Sequence, residues 1–142
     1  MAVDYNNRAY VYYNQNKKKD ALEDFNQAIN LEPKLAVAYN GRGVVYLDRD
    51  ERDRSLEDFN KAIEINSQYD IAYHNRGSAY YYNSNHKNAL EDLNKAINLE
   101  PKISNSYNQI GDTYYDQNKY NDALDNHKKA IQIAILNLLF LS

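Results

Sequence analysis

Small, aromatic and aliphatic residues recur along this chain at spacings of three, four and seven, and the whole set returns every 34 residues. Tyr5, Tyr39, Tyr73 and Tyr107 form one rung of the pattern, and Tyr12, Tyr46, Tyr80 and Tyr114 a second. Between them stand Ala9, Gly43, Gly77 and Gly111. A second stretch carries Ala21, Ser55, Ala89 and Ala123, each followed by a leucine: Leu22, Leu56, Leu90 and Leu124. Ala-Ile pairs follow (Ala28-Ile29, Ala62-Ile63, Ala96-Ile97, Ala130-Ile131), then Leu31, Ile65, Leu99 and Ile133. Such spacings put these residues on one face of a helix. Small residues at matching places let two helices approach closely while rings and aliphatics fill the flanks. Asn16, Asp50, Ser84 and Asn118 separate the halves; Asn and Asp tolerate the left-handed conformation that ends a helix, and Ser suits turns. Pro33 and Pro101 fall where a helix must stop. The pattern predicts four helix–turn–helix units, residues 2–35, 36–69, 70–103 and 104–137. A fixed period of this length is the mark of a stacked array, whose repeats share one continuous core.

The units resemble the tetratricopeptide repeat family. Repeat 2 carries the family pattern as Tyr39, Gly43, Tyr46, Ser55, Phe59 and Ala62, and repeat 3 as Tyr73, Gly77, Tyr80, Ala89, Ala96 and Pro101. The resemblance spans residues 2–137. It implies an all-α fold, a right-handed superhelical solenoid of four hairpins, and a role as a protein–protein interaction scaffold that holds a partner's peptide segment. Repeat 4 departs most: His127 replaces Phe25, Phe59 and Leu93, and Ile135, like Ser67, replaces the closing proline.

The resemblance also implies that the first helix of each hairpin lines a concave groove, through places 2, 5, 6, 9, 12 and 13 of each unit. Repeat 1 then offers Val3, Asn6, Asn7, Tyr10, Tyr13 and Asn14; repeat 2 offers Val37, Asn40, Gly41, Val44, Leu47 and Asp48. Repeat 3 offers Ile71, His74, Asn75, Ser78, Tyr81 and Tyr82; repeat 4 offers Asn105, Asn108, Gln109, Asp112, Tyr115 and Asp116. An amide side chain both donates and accepts, so it can bond a peptide backbone of any sequence. Tyrosine adds contact area at low entropic cost. Asn7, Asn75 and Gln109 form a partial amide row that Gly41 interrupts. Relatives that clamp acidic chaperone tails do so with cations. The matching places here hold Asn6, Tyr10, Gly41, Ile71 and Asn75 in one frame, and Asn40, Val44, Asn75, Asn105 and Gln109 in the next. Neither frame supplies a cation to meet carboxylates. The expected partner is therefore a neutral to mildly basic segment, not an acidic chaperone tail.

Composition narrows the rest. Net charge is −3 with no basic stripe, which argues against nucleic acid. His74, His86 and His127 lie on different hairpins without metal-ligand spacing, and the chain has no cysteine. No grouping suggests nucleophilic catalysis, and no cofactor is expected. The missing cysteines and signal-peptide pattern favour a cytoplasmic location. The first unit begins at residue 2, which suggests a domain of a longer protein or one end of a longer array; a regulatory domain of a larger enzyme is a further alternative.

Two features belong to the array itself. Arg8, Arg42 and Arg76 at place 7 accompany Asp24, Asp58 and Asp92 at place 23, and repeat 4 loses both partners to Ile110 and Asn126. Joint loss suggests pairing between the two helices of one hairpin; solvated surface charges, worth under about 1 kcal/mol, are the alternative. The second feature is the apolar run from Ile131 to Leu141, an extension over residues 131–142 that is too short for a membrane span of about 20 residues. An exposed apolar patch tends to find a partner. A self-associating array using Ile135, Leu138, Leu139 and Phe140 is thus the competing functional reading.

Overall fold

The computed structural model describes residues 1–141, so the expected end of the extension at residue 142 lies outside the described residues. The described chain is entirely helical: α1 (Ala2–Asn14), α2 (Lys18–Leu31), α3 (Ala36–Asp48), α4 (Arg52–Ile65), α5 (Asp70–Tyr82), α6 (His86–Leu99), α7 (Ser104–Asp116) and α8 (Tyr120–Leu141). Each pair α1/α2, α3/α4, α5/α6 and α7/α8 packs as a hairpin, and each hairpin packs on the next. The turn residues Asn16, Asp50, Ser84 and Asn118 all adopt the left-handed conformation, at φ of 60°, 61°, 57° and 59°. In repeat 1 this lets the Lys17 N–H reach back to the Tyr12 carbonyl (2.9 Å), and the other three turns repeat that bond.

Buried small residues bring the helices of a hairpin together. Ala9 and Ala21 are fully buried, as are Ser55, Ala79 and Ala89. Phe25, Phe59 and Leu93 fill the space between successive hairpins and are wholly enclosed. A Cβ on Gly41 would overlap the Phe25 ring and lie 2.9 Å from the Tyr10 hydroxyl. That packing explains why glycine interrupts the amide row at this place.

Each arginine–aspartate pair is closed within its hairpin. Arg42 donates to both carboxylate oxygens of Asp58 at 2.8 and 2.7 Å, and Arg76 to both of Asp92 at 2.7 Å. Asp58 and Asp92 are 5% exposed, so these are not solvated surface charges. The guanidinium of Arg42 also lies between the rings of Tyr39 and Tyr46, at 5.6 and 5.8 Å. Its remaining nitrogen reaches back to Asn26 of the preceding repeat at 2.8 Å, and Arg76 reaches Asn60 in the same way. Hydrogen bonding to Asp58 raises the Arg42 pKa above its already high value, outweighing burial.

The eighth helix runs unbroken from residue 120 to residue 141. Along its second half Ala130 and Ile133 are buried, and the Asn137 amide donates to the Lys102 carbonyl at 3.2 Å. The other flanks are open, with Leu138 at 71% and Phe140 at 84% exposure.

Candidate peptide-binding groove

Curvature follows from how the two helix sets pack. The first helices touch in succession, α1 on α3, α3 on α5 and α5 on α7, whereas among the described residues no two of the second helices approach each other. The array therefore curves with the first helices on its inner side. A stripe at places 2, 6, 9 and 13 of a helix follows the helical repeat and runs along one face.

Places 2 and 13 are open in every repeat. Val3, Val37, Ile71 and Asn105 are exposed along one edge, and Asn14, Asp48, Tyr82 and Asp116 along the other. The middle of the stripe is tighter. Asn7 is exposed, but Asn75 donates to Asn40 Oδ1 at 2.9 Å and Gln109 accepts from Ser78 at 3.3 Å. These two amides knit neighbouring repeats while remaining half-exposed.

Four expected groove residues are buried: Asn6, Asn40, Gly41 and Ser78. Asn6 and Asn40 are only 5% and 4% exposed, because place 5 faces the following hairpin rather than solvent. Asn40 Oδ1 is satisfied by Asn75, while Asn6 Oδ1 has no partner among the described residues. The place that would supply one is Gly41. Place 9 is similarly drawn into the seam. Tyr10 packs edge-on against Phe25 with centroids 5.2 Å apart, and its hydroxyl donates to the Val37 carbonyl at 3.2 Å. Val44 is half-buried and lines a recess of about 320 Å³ with Asn75, Ser78 and Tyr82. His74 is half-buried, with Nδ1 2.8 Å from the Ser106 hydroxyl, and burial lowers its pKa. Asn108 and Asp112 occupy the same two places in repeat 4 and are exposed, since no hairpin follows them in the described chain. They flank His127 instead, at 3.3 and 3.5 Å.

Tyrosine–carboxylate pairs line the far edge. Tyr13 donates to Asp48 at 2.6 Å. Burial, then Asp48, pushes the Tyr13 pKa up to about 12; burial, then Asp116, does the same for Tyr81. Both phenols stay protonated donors at neutral pH. Tyr81 also stands edge-on to Tyr82 at 5.4 Å. Two cations not expected from the sequence stand here. Arg52 donates to the Tyr82 carbonyl at 2.7 Å, at the end of α5 and on the rim of the recess. Lys18, one repeat earlier at the same place, reaches the Asp48 carbonyl at 3.3 Å. Two cations at one place of the repeat, each the first residue of a second helix, were the available signal.

Three family models, each described as tetratricopeptide repeat, match residues 2–35, 36–69 and 68–135. Among curated proteins, no sequence matches significantly. Many solved structures share the fold. A crystal structure of MamA superposes with a TM-score of 0.85 at 24% identity, covering 97% of this chain and 81% of that one. MamA from residue 41 to its end, from Desulfovibrio magneticus RS-1, gives 0.82 at 17% identity, covering 94% and 76%. The first repeat domain of Spaghetti (RPAP3), bound to the HSP90 peptide SRMEEVD, gives 0.78 at 22% identity, covering 82% and 92%. No helix among the described residues is long and apolar enough to cross a membrane.

Proposed function

Because this chain belongs to the tetratricopeptide repeat family, we propose that it is a protein-interaction scaffold whose inner face holds an extended or short helical segment of a partner, without chemistry of its own. The observation that carries this reading is the pair of open rows at places 2 and 13, running the length of the curved first-helix layer. One row offers apolar contact through Val3, Val37 and Ile71; the other offers polar and ring contact through Asn14, Asp48, Tyr82 and Asp116. Asn7, Asn75 and Gln109 between them meet the segment's main chain.

The partner is neutral to mildly basic. Asp48, Asp112 and Asp116 are exposed on first helices, and the places that would clamp an acidic tail carry no cation. The acidic peptide held by the Spaghetti domain is for that reason not carried over.

The test is a capture from lysate of the source cell with the chain beside a Val37→Glu, Ile71→Glu variant. Both side chains are exposed, at 37% and 47%, so the variant keeps its fold. Partners lost with the variant support the groove; an unchanged set overturns it. Asn75→Ala is a poorer probe, because it also removes a bond between repeats.

A further inference from the structure

We propose that two copies of this chain associate about a two-fold axis through the open flank of α8. The flank is defined by comparison with the other repeats. Places 21 and 28 hold Leu22 and Ile29, Leu56 and Ile63, and Leu90 and Ile97, all half-buried where a hairpin follows. Their repeat 4 counterparts, Leu124 and Ile131, are 52% and 60% exposed. Among the described residues this face is thus half-buried on α2, α4 and α6 and exposed on α8. Helix α8 then adds to it. It passes the point where Pro33 and Pro101 stop α2 and α6, and so places Ile135 and Leu138 on the face of Ile131, four and seven residues further on. Leu124, Ile131 and Leu138 recur every seventh residue, the spacing of a helix-pairing seam.

The occupant is a second α8 rather than the front end of another copy. Head-to-tail stacking would set α1 against this flank. In the stacked hairpins place 3 is a buried small residue, Ala38, Ala72 or Ser106, each 0% exposed. In α1 that place is Asp4, whose carboxylate would be driven into an apolar contact. An α8 pair brings no second carboxylate to the flank beyond Asp112, which already lies 3.5 Å from His127. Leu124 and Leu138 lie seven residues either side of Ile131, so an antiparallel register centred there sets each Leu124 against the other copy's Leu138 and each Ile135 against His127. Lys128 then faces Ala134 and Asp125 faces Asn137, and no like charges meet. The contact is isologous, so it closes at two copies. It leaves both grooves free and joins them into one bivalent scaffold, which strengthens binding of any partner with two segments.

Absence of cysteine makes the test direct. Mass is measured by light scattering or sedimentation across a wide concentration range, for the chain and for Ile131→Glu and Leu138→Glu. The chain runs at twice 16.6 kDa. Each variant weakens dimerisation by roughly thirtyfold or more, as a central interface residue does. Circular dichroism of the variants stays that of the parent, since both side chains are exposed. Ile131→Cys gives a disulfide-linked dimer on mild oxidation, whereas Val3→Cys does not. A single-chain mass at every concentration overturns the proposal. So does a mass that grows without limit, which is head-to-tail stacking, or a dimer that Ile131→Cys fails to cross-link.

Discussion

Arg42 is the residue on which the interior of repeat 2 turns. It satisfies both oxygens of a buried carboxylate, fits between two tyrosine rings and ties back to Asn26. Removing it leaves Asp58 charged and enclosed. Arg42→Ile is expected to lower stability by about 3 kcal/mol, read from urea denaturation. Adding Asp58→Asn copies the Ile110/Asn126 arrangement of repeat 4 and recovers most of that loss; a double variant no better than the single would contradict the pairing account. His74 supplies a pH dependence. Burial holds its folded pKa below the ordinary value of about 6.5, so the unfolded chain binds the proton more readily. Stability from this group is full above the unfolded pKa and falls as pH drops towards the folded one. The melting temperature of His74→Gln therefore falls less than that of the parent between neutral pH and mild acid; parallel curves would refute this. The ion pairs were legible in the sequence because repeat 4 loses both partners at once. The burial of Asn6 and Asn40 was not, because a 34-residue period does not say which flank of a helix the next hairpin covers.

At the scale of elements, four turns each hold one residue in the left-handed conformation, and one of these is serine. Gly tolerates that conformation because it has no Cβ, and Asn because its short amide bonds the local backbone; serine does so less well. Ser84→Asn is expected to raise stability by about 0.5 kcal/mol, and Ser84→Gly by a similar amount, measured by thermal melting. Gly41→Ala has the opposite sign. Its Cβ overlaps the Phe25 ring, and forcing extra volume into a packed seam costs about 1–3 kcal/mol. A neutral Gly41→Ala would show that the ring can move aside. Helix positions were readable because Tyr, small and aliphatic residues keep their places in all four units, and the turn residues mark each break. Continuation of α8 was readable too, since Ile135 stands where Pro33 and Pro101 stop other helices. Burial of Ala130 and Ile133 follows the repeat pattern, but the bond from Asn137 to the Lys102 carbonyl was not readable, because it depends on the tilt of one hairpin against another.

The whole molecule is a curved stack whose inner layer is made of first helices alone. Curvature decides which side chains a ligand can meet. It presses places 5 and 9 of repeats 1 to 3 into the seams and leaves places 2 and 13 open in all four. The central claim is that a partner segment lies along those rows. The measurement that tests it most directly is amide chemical-shift mapping of the 16.6 kDa chain with the captured peptide. The account predicts perturbations on α1, α3, α5 and α7, strongest near Val37, Asp48, Ile71 and Tyr82. Shifts confined to α8, or to the outer helices α2, α4 and α6, would contradict it.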